Sequence, residues 1–459
     1  MVLYNIDSGS KTMENKGRNL LEGSIWKGIV GFAIPIFLGN LFQQLYNTVD
    51  SLIVGKFLGS EALAAVTSSG ALIFLMVGFF NGVAMGAGVV ISKYFGAKDY
   101  EGLKRAVHTD VAFGIVAGLL LTIIGLVLAP QMLVWMGTPA EVLPNSTAYF
   151  RMYFAGSLAF VMYNVVMGIQ QAVGDSKHPL YYLIFSSIVN VVLDLLFVGV
   201  FKWGVASAAL ATVISQAVSA LLCFIRLLKT NEVYKVRIPE IKFHKEMLYQ
   251  IVSIGLPTGL QNSIIAIANV VVQSNINAFG MVAVAGSGVY SKIEGFVFLP
   301  ITCFSMALTT FIGQNLGARQ FDRAKKGAKF AVLCSIILAE VVGIIVFIGM
   351  PVLATLFDNN PDVIAIATLQ ARTESLFYFL LAFSHCISGV LRGCGKSAVP
   401  MYVMLASWCA LRITYITIVV KLIPVVQTIY WAYPLTWTVS SIIFLIYYLK
   451  VDWVHGFEK

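Results

Sequence analysis

Twelve apolar stretches, each long enough to cross a lipid bilayer, follow one another along this chain. They lie near residues 28–56, 62–92, 106–128, 146–172, 179–200, 204–228, 248–278, 282–313, 327–349, 366–391, 399–421 and 427–449. A membrane-spanning helix needs about 20 mostly apolar residues. Hydrophobic residues make up 58% of the 459 residues and charged residues only 12%, which excludes an ordinary soluble protein. The sequence therefore predicts an all-α polytopic membrane protein with twelve transmembrane helices.

The net charge of +9 is explained by where the basic residues lie. Of the 31 Lys and Arg residues, 24 precede span 1, follow the even-numbered spans or follow span 12. Loops on the cytoplasmic side of a membrane are enriched in Lys and Arg. We therefore expect a multi-pass protein of the cytoplasmic membrane, with both termini in the cytoplasm, surrounded by lipid and without a nucleic-acid partner.

The two halves of the chain repeat each other at an offset of 221 residues. YFGAKDYEGLKRA at 94–106 aligns with NLGARQFDRAKKG at 315–327, and GDSKHP at 174–179 aligns with GKSAVP at 395–400. Six spans per copy return the chain to the same face, so the copies must be parallel repeats. Parallel repeats of this kind place a substrate path between two helix bundles.

The repeat predicts two pseudo-symmetric six-helix bundles with a central cleft. The expected segments are a cytosolic tail at 1–24, an N-lobe at 25–228, a cytosolic linker at 229–247, a C-lobe at 248–449 and a second cytosolic tail at 450–459. Each chain contains both lobes, so we expect a functional monomer.

Two acidic residues in the N-lobe stand out because they lie deep within apolar spans. Asp50 ends a polar stripe on one face of span 1, after Asn40, Gln43 and Asn47. Asp194 follows Asn190 by one helical turn in span 5. A carboxylate at the centre of a span costs about 2.5 to 3.5 kcal/mol on insertion scales, so two such residues predict a function. They are expected to hold either protons or a cation; the alternative is a structural role, in hydrogen bonds between helices or in pairing with a base.

The repeat provides an internal comparison for these acids. Asp50 aligns with Val271 or Val272, and Asp194 aligns with Tyr415. The fold symmetry therefore does not require the acids, and their role is expected in the N-lobe alone. The C-lobe has ionisable residues of both signs, for which structural ion pairs are the simpler expectation: Lys292, Glu294, Glu340, Glu374 and Arg412.

With these features, the chain resembles the multidrug and toxic compound extrusion (MATE) family. The resemblance extends over residues 25–449 and depends on the two six-span halves and four stretches: IPIFLGNLFQQLYNTVD in span 1, the loops YFGAKD and NLGARQ, and LRGCGKS after span 10. Within the family, the N-lobe pattern is similar to the DinF-like branch. The NorM-like branch instead uses acids in spans 7 and 10, where this chain has neutral residues at the matching depths.

The resemblance implies a role for each matching residue. Asp50 and Asp194 would accept H⁺ or Na⁺, and Asn190 would be an oxygen ligand beside them, so a metal site involving these three is expected only if Na⁺ is the coupling ion. The remaining polar positions of the site would be Asn164 and Thr212. Pro35 and Tyr46 match positions linked to bending of span 1, and we place Gln43 and Asn47 in the cleft or gate.

Two further features of the spans concern helix geometry. Pro35 removes a backbone hydrogen bond about four turns before Asp50, which predicts a kink or hinge in span 1. Gly78, Gly82 and Gly86 share one face of span 2 and predict close packing against another helix.

The predicted function is a cation-coupled antiporter that exports amphipathic, often cationic compounds by alternating access, with no cofactor. A flippase for lipid-linked precursors is the first alternative, although the central spans offer chiefly Arg412 and Lys292 for a pyrophosphate. A membrane-embedded enzyme is the second, but HExxH, GxSxG and phosphate-binding glycine motifs do not occur in the sequence.

Overall fold

The computed structural model describes residues 20–135, 138 and 140–457, apart from the side chains of residues 60, 61, 63, 64, 67–72 and 74. Within these ranges all regular secondary structure is helical. Most of the predicted tail at 1–24 and the last two residues of the predicted tail at 450–459 lie outside the described residues.

We number the membrane-crossing helices α1 to α12 in chain order. Their bounds are Ile25–Gly59 (α1), Leu75–Gly96 (α2), Tyr100–Trp135 (α3), Leu143–Ala155 with Ser157–Ala172 (α4), Lys177–Val200 (α5), Val205–Lys229 (α6), Lys245–Asn277 (α7), Met281–Gly317 (α8), Phe321–Ala354 (α9), Pro361–Gly393 (α10), Ala398–Leu422 (α11) and Val426–Lys450 (α12). Eleven are individually long and apolar enough to span a membrane, and the two parts of α4, bent by 46°, pass together as a twelfth. The predicted all-helical fold is confirmed.

Several of these helices contain a local change of winding. In α5 the α-helix Lys177–Asp194 continues as a π-helix over Leu195–Val200. In α11 a π-helix occupies Leu405–Leu411. In α10 a short 3₁₀ turn at Ser375–Phe377 separates Pro361–Glu374 from Tyr378–Gly393. π-helical segments inside α-helices occur frequently at functional sites.

The internal repeat is visible in the backbone dihedral angles. Three pairs of residues with positive φ are separated by 221 positions each: Gly59 and Gly280, Lys98 and Arg319, and Gly174 and Gly395. Gly59 and Gly280 share φ near +90° with ψ near 180°, a conformation that essentially only glycine adopts. The two halves therefore make the same turns at the same places.

Two large apolar cores lie in the two halves of the chain. One is built mainly from α2 to α6 and includes Met247, Ile251 and Ile254 from the first turns of α7. The other is built mainly from α8 to α12 and includes Ile29 and Phe32 from the first turns of α1. The first turns of α1 and α7 thus pack in the core of the opposite half.

The two halves meet tightly at one end of the bundle, where α2 faces α7 and α8. A Cβ atom placed on Gly82 would lie 2.5 Å from the Cα atom of Gly259, and one on Gly86 would contact the backbone of Gly255. Gly96 likewise lies against the backbone of Gln314. The predicted close packing of the span 2 glycines is confirmed. We call this contact the closed end.

At the other end of the bundle, the same face of α7 is no longer covered. Gly255, Gly259 and Asn262 contact α2, and Asn262 donates a 3.0 Å hydrogen bond to the Gly78 carbonyl. Further along α7 this face continues with three exposed polar residues: Asn269, Gln273 and Asn277. The helices therefore separate beyond Asn262 and leave an interlobe cleft at the end opposite the closed end.

Candidate functional site

Asp50 of α1 and Asp194 of α5 come together inside the N-terminal half. Their side chains are 7% and 0% exposed, respectively, and their carboxyl groups lie close enough for one to hydrogen-bond to the other. Asp194 is the last residue of the regular part of α5, directly before the π-helical segment. The two acids that the sequence singled out in different spans are thus one pair.

Among the described residues, most of the oxygen atoms at this pair are buried and have no hydrogen-bond donor. They are Oδ1 of Asp50 and both carboxyl oxygens of Asp194. One turn before Asp194, the Asn190 side chain is fully buried, and its amide oxygen and nitrogen also have no hydrogen-bond partner in the part of the chain that the structure describes. A buried polar group without a partner costs about 1 to 3 kcal/mol, and more if it is charged. A proton or a small cation bound at this site would remove that cost.

A basic side chain does not remove that cost among the residues that the structure describes. The ion pairs there involve neither Asp50 nor Asp194. Arg151, the basic residue of α4, is exposed to solvent. Two adjacent carboxyl groups cannot both be ionised cheaply in an apolar interior, because like charges repel and desolvation disfavours both. One shared proton or one bound cation would remove that cost.

The pair also meets the simplest chemical test for Na⁺ binding. Hard cations take oxygen ligands, and the two carboxylates and the Asn190 amide supply them. Clusters of three or more His, Cys, Asp or Glu side chains suited to a metal ion are not found among the described residues. A transition-metal centre is thus unsupported in this part of the chain, whereas H⁺ and Na⁺ both fit the residues present.

The other predicted site residues of the N-terminal half are placed as follows. Tyr46 is buried and lies near both carboxyl groups, and its hydroxyl accepts a 3.1 Å hydrogen bond from Gln216 of α6. Asn164 donates to the Phe160 carbonyl and Thr212 to the Ala208 carbonyl, each in its own helix. Among the described residues, neither forms a hydrogen bond with the aspartate pair, so their assignment stays a prediction.

Gln216 belongs to this candidate site, although it is not among the residues predicted from the sequence. It is buried, it holds the Tyr46 hydroxyl, and its own amide oxygen has no partner. A sequence signal was available, because Gln216 follows Thr212 by one turn on the same face of an apolar span.

The polar stripe of α1 divides between two surroundings. Asn40 donates a 3.3 Å hydrogen bond to the Cys303 sulfur of α8. The Gln44 side-chain nitrogen also lies against α8, 3.8 Å from where a Cβ atom on Gly295 would be. Asn47 is exposed on α1, and Gln43 is half-buried next to Tyr46. Helix α1 thus contacts α8 of the C-terminal half through its middle turns. Asp50 lies about three turns further along the same helix α1.

The predicted kink at Pro35 is not a break in the helix. The backbone from Ile25 to Gly96 departs from helical dihedral angles only at Gly59. Pro35 therefore lies in a continuous helix in this state, lacking one backbone donor. Its role as a hinge stays a prediction.

The C-terminal half contains a separate buried network around Tyr290. The Tyr290 hydroxyl lies 3.1 Å from Glu374, 3.3 Å from Glu294 and 2.7 Å from the Tyr378 hydroxyl. Gln370 donates a 2.9 Å hydrogen bond to the other carboxyl oxygen of Glu374. These bonds connect α8 to α10 through neutral donors.

The ion pairs expected in this half are not found among the described residues. Arg412 is 1% exposed and is held by Thr436 at 2.9 Å and by the Tyr433 ring at 4.4 Å. Lys292 lies 5.6 Å from the Phe357 ring centroid. Tyrosine hydroxyls and rings, rather than opposite charges, contact the buried ionisable groups Glu374 and Arg412. Sequence alone could not distinguish the two, because both satisfy a buried polar group.

With this geometry established, comparisons with known proteins identify the family. The family model named MatE matches residues 35–196 and again residues 257–418. The chain belongs to the MatE family. Its two matches fall on the two halves of the internal repeat. As a member of this family, the chain is a membrane transporter rather than a membrane-embedded enzyme.

Relatives and solved structures agree with this membership. The MatE chain is 29% identical to the "Probable multidrug resistance protein YoeA" of Bacillus subtilis (strain 168), covering 84% of this chain and 85% of the relative. It is 24% identical to the "Multidrug export protein MepA" of Staphylococcus aureus (strain MSSA476), covering 82% and 83%. The fold matches the "Outward-facing conformation of a multidrug resistance MATE family transporter of the MOP superfamily" with a TM-score of 0.89, at 24% identity over 97% and 99% of the two chains.

Proposed function

We propose that this transporter is a cation-coupled antiporter that exports amphipathic, often cationic compounds, with Asp50 and Asp194 as the coupling pair. The observation that carries the proposal is the pairing of two buried carboxyl groups. Within the part of the chain that the structure describes, three of their four oxygens have no hydrogen-bond donor and no basic side chain forms an ion pair with them. Such a pair is stable only with a proton or a cation. A site that is neutralised by H⁺ or Na⁺ is what ion coupling requires.

The orientation follows from the basic residues. Lys98 and Arg319 occupy the two turns at the closed end, and Arg323 and Lys326 follow within the first turns of α9. The enrichment of cytoplasmic loops in Lys and Arg supports a cytoplasmic closed end. On this assignment the interlobe cleft opens to the outside, and the predicted cytoplasmic termini lie at the closed end.

Helix α1 supplies the mechanical connection in the proposed cycle. Its middle turns contact α8 through Asn40, and its later turns carry Asp50 to Asp194. A change in the charge of the pair alters the interactions of Asp50, so it changes the preferred position of α1. Because α1 also packs against the C-terminal half, this change biases the contact between the lobes. Tyr46 and Gln216 connect α1 to α6 near the pair.

The direction of the cycle follows from the driving force. A cation arriving from outside neutralises the pair while the cleft faces outward, and it is released once the cleft faces the cytoplasm. When one cation is exchanged for one monocationic substrate, the charges cancel and only the concentration gradient of the coupling ion drives export. For a neutral substrate, moving one elementary charge through 100 mV supplies about 2.3 kcal/mol, before any concentration gradient is counted. That amount corresponds to a roughly 50-fold accumulation ratio, since every 1.4 kcal/mol is tenfold.

The substrate class is supported by the lining of the interlobe cleft and by the relatives. Exposed side chains on α1 and α7 include the neutral amides Asn47, Asn269 and Gln273, and Asp50 of α1 belongs to the acidic pair. Neutral amides accept varied partners, and anionic groups favour cations. Two similar proteins are described as multidrug proteins, which fits a broad substrate range.

The proposal is tested by efflux of a fluorescent cation such as ethidium, measured in inverted membrane vesicles. A pH gradient and a Na⁺ gradient are imposed separately, so that the coupling ion is identified. Asp50→Asn and Asp194→Asn are each expected to abolish gradient-driven transport while the protein remains folded. Asp110→Asn is the matched control, because Asp110 of α3 is also a buried acid with an unpartnered oxygen.

Asp110 is not part of the proposed coupling pair. Asp110→Asn is therefore expected to keep roughly half or more of the wild-type transport rate. Undiminished gradient-driven efflux in Asp50→Asn would refute the coupling role. Equal loss in all three variants would show that burial of any acid, rather than this pair, controls the activity.

A further inference from the structure

The segment Val451–Phe457, which follows α12, forms an ordered strap across the closed end. Trp453 and Val454 are 5% and 4% exposed, and the Trp453 ring stacks on Tyr448 of α12 with centroids 5.4 Å apart. A short segment that follows a final membrane helix has no need to bury an indole against the protein. The burial of the strap therefore indicates a specific seat on the protein.

Most of the strap is fixed to the C-terminal half. The backbone of Gly456 packs so closely on Cys394 that an added Cβ atom would lie 2.6 Å from the Cys394 carbonyl oxygen. The His455 ring packs on Phe321 of α9 with centroids 4.7 Å apart. Lys396 donates a 2.9 Å hydrogen bond to the Asp452 carbonyl. These anchors move with the C-terminal half.

The strap carries its own internal bond. The His455 Nδ1 atom lies 2.6 Å from Asp452 Oδ2, and this contact holds the pKa of Asp452 below its usual value of 3.8. The carboxylate thus fixes the turn that presents the next residues to the bundle.

Phe457 reaches from this seat to the other half. Its ring packs on Gly395 of the C-terminal half. A Cβ atom added to Gly395 would lie 3.1 Å from this ring. On its other side, the Lys93 ammonium of α2 lies 4.8 Å from the ring centroid. A lysine at this distance from an aromatic face is attracted to it. Phe457 is therefore a bridge between the two halves.

The bridge is located where the two halves are closest. The carbonyl of Lys93 lies against Gly317 of α8, where a Cβ atom would have no room. The ring also packs partly buried against the apolar core of the N-terminal half. Separation of α2 from α8 must therefore break the contact between Phe457 and Lys93, whereas the remaining strap contacts can persist.

We propose that the strap Val451–Phe457 is a latch for the closed end, anchored on the C-terminal half and closed by the insertion of Phe457 against Lys93. The latch stabilises the state with the interlobe cleft open at the far end. It is independent of which ion or substrate the transporter uses, so it stands even if the proposed coupling pair fails its test.

The latch is tested by measuring the distance across the closed end. Spin labels are attached through p-acetylphenylalanine at Arg105 of α3 and Lys326 of α9, both exposed, which leaves the six native cysteines in place. Double electron-electron resonance then reports the populations of short and long distances. Phe457→Ala and Gly456→Val are compared with wild type and with Tyr249→Ala, a control at a side chain that is 75% exposed on α7.

Both latch variants are expected to raise the ratio of long to short distances about tenfold, since they remove or displace a packed aromatic ring. The Tyr249→Ala control is expected to match wild type. If Phe457→Ala fails to fold, Phe457→Leu keeps an apolar side chain and removes only the ring, and a smaller shift in the same direction is expected. Unchanged distances in Phe457→Leu and Gly456→Val would overturn the proposal.

A second measurement approaches the latch from the opposite direction. In the double variant Lys93→Cys/Phe457→Cys, the two introduced thiols are joined by a reducible bifunctional reagent, so that the closed end cannot open. Transport is expected to stop and to return after reduction. Full transport by the cross-linked protein would show that transport does not need residues 93 and 457 to separate.

Discussion

The contact between Gly82 and Gly259 gives a prediction whose size follows from the structure. A Cβ atom on Gly82 would lie 2.5 Å from both the Cα and N atoms of Gly259 and 2.7 Å from the carbonyl carbon of Thr258. Ordinary contacts begin at 3.4 Å, so the α2 and α7 backbones must separate by nearly 1 Å in Gly82→Ala. Overpacking of this kind typically costs about 1 to 3 kcal/mol.

The cost in Gly82→Ala falls only on the state in which α2 and α7 touch. It is therefore expected to shift the equilibrium toward the opposite-facing state by roughly 5- to 150-fold. Spin labels at Arg105 and Lys326 measure this shift directly as a larger fraction of long distances. Thermal unfolding in detergent measures whether the fold itself is preserved.

Gly88→Ala is the matched control for this prediction. Gly88 lies in the same helix, but a Cβ atom there would meet only Ala172 and Gly168 at 3.9 Å. The control should reproduce the wild-type distances. If Gly82→Ala is folded and its distances equal those of Gly88→Ala, the closed end does not depend on this glycine contact, and the reasoning is refuted.

Three further predictions concern stability. Gly59→Ala should lower the free energy of unfolding by about 1 to 3 kcal/mol in thermal or SDS titrations, because φ of +86° with ψ of −178° suits only glycine. The control Gly31→Ala should not destabilise the protein, because there is open space around Gly31. Equal free energies of unfolding for the two variants would contradict this. Tyr290→Phe should cost about 1 to 3 kcal/mol by leaving Glu374 short of a donor, and no loss in the same titration would be inconsistent with the Tyr290 network. The pKa of His244, directly before α7, lies below its ordinary value of 6.5, mainly because of burial, so its contribution to stability is complete above pH 6.5 and lost as pH falls through the folded-state pKa. The melting temperature should therefore fall from pH 7 to pH 5 less steeply in His244→Gln than in wild type, and identical slopes would show that His244 does not contribute.

The fold was largely predictable from the sequence, because membrane insertion imposes a simple length rule on apolar segments. The break at Gly156 in α4 was not predictable, since the whole stretch 146–172 is apolar. The positive φ of Lys98 and Arg319 was also hidden, because lysine and arginine do not signal a left-handed conformation as glycine does.

The candidate site was predictable where it depends on rare residues and not where it depends on common ones. Asp50 and Asp194 stand out in apolar spans because their burial is expensive, and the structure brings them together. The spacing of Gln216 from Thr212 hinted at a polar face, but only three-dimensional contacts show that Gln216 holds Tyr46 and that Tyr290 holds Glu374. The position of Phe457 depends on tertiary packing that no local pattern records.

The central claim is that Asp50 and Asp194 together hold the coupling ion, and ion release on substrate binding tests it most directly. Purified protein in weakly buffered detergent solution is mixed with excess ethidium while a pH indicator and a Na⁺ electrode record release. Wild type is expected to release about one cation per chain, as one ion shared by two carboxylates requires. The double variant Asp50→Asn/Asp194→Asn should bind ethidium without releasing either ion. Release from the double variant equal to that from wild type would place the coupling ion elsewhere and contradict the account.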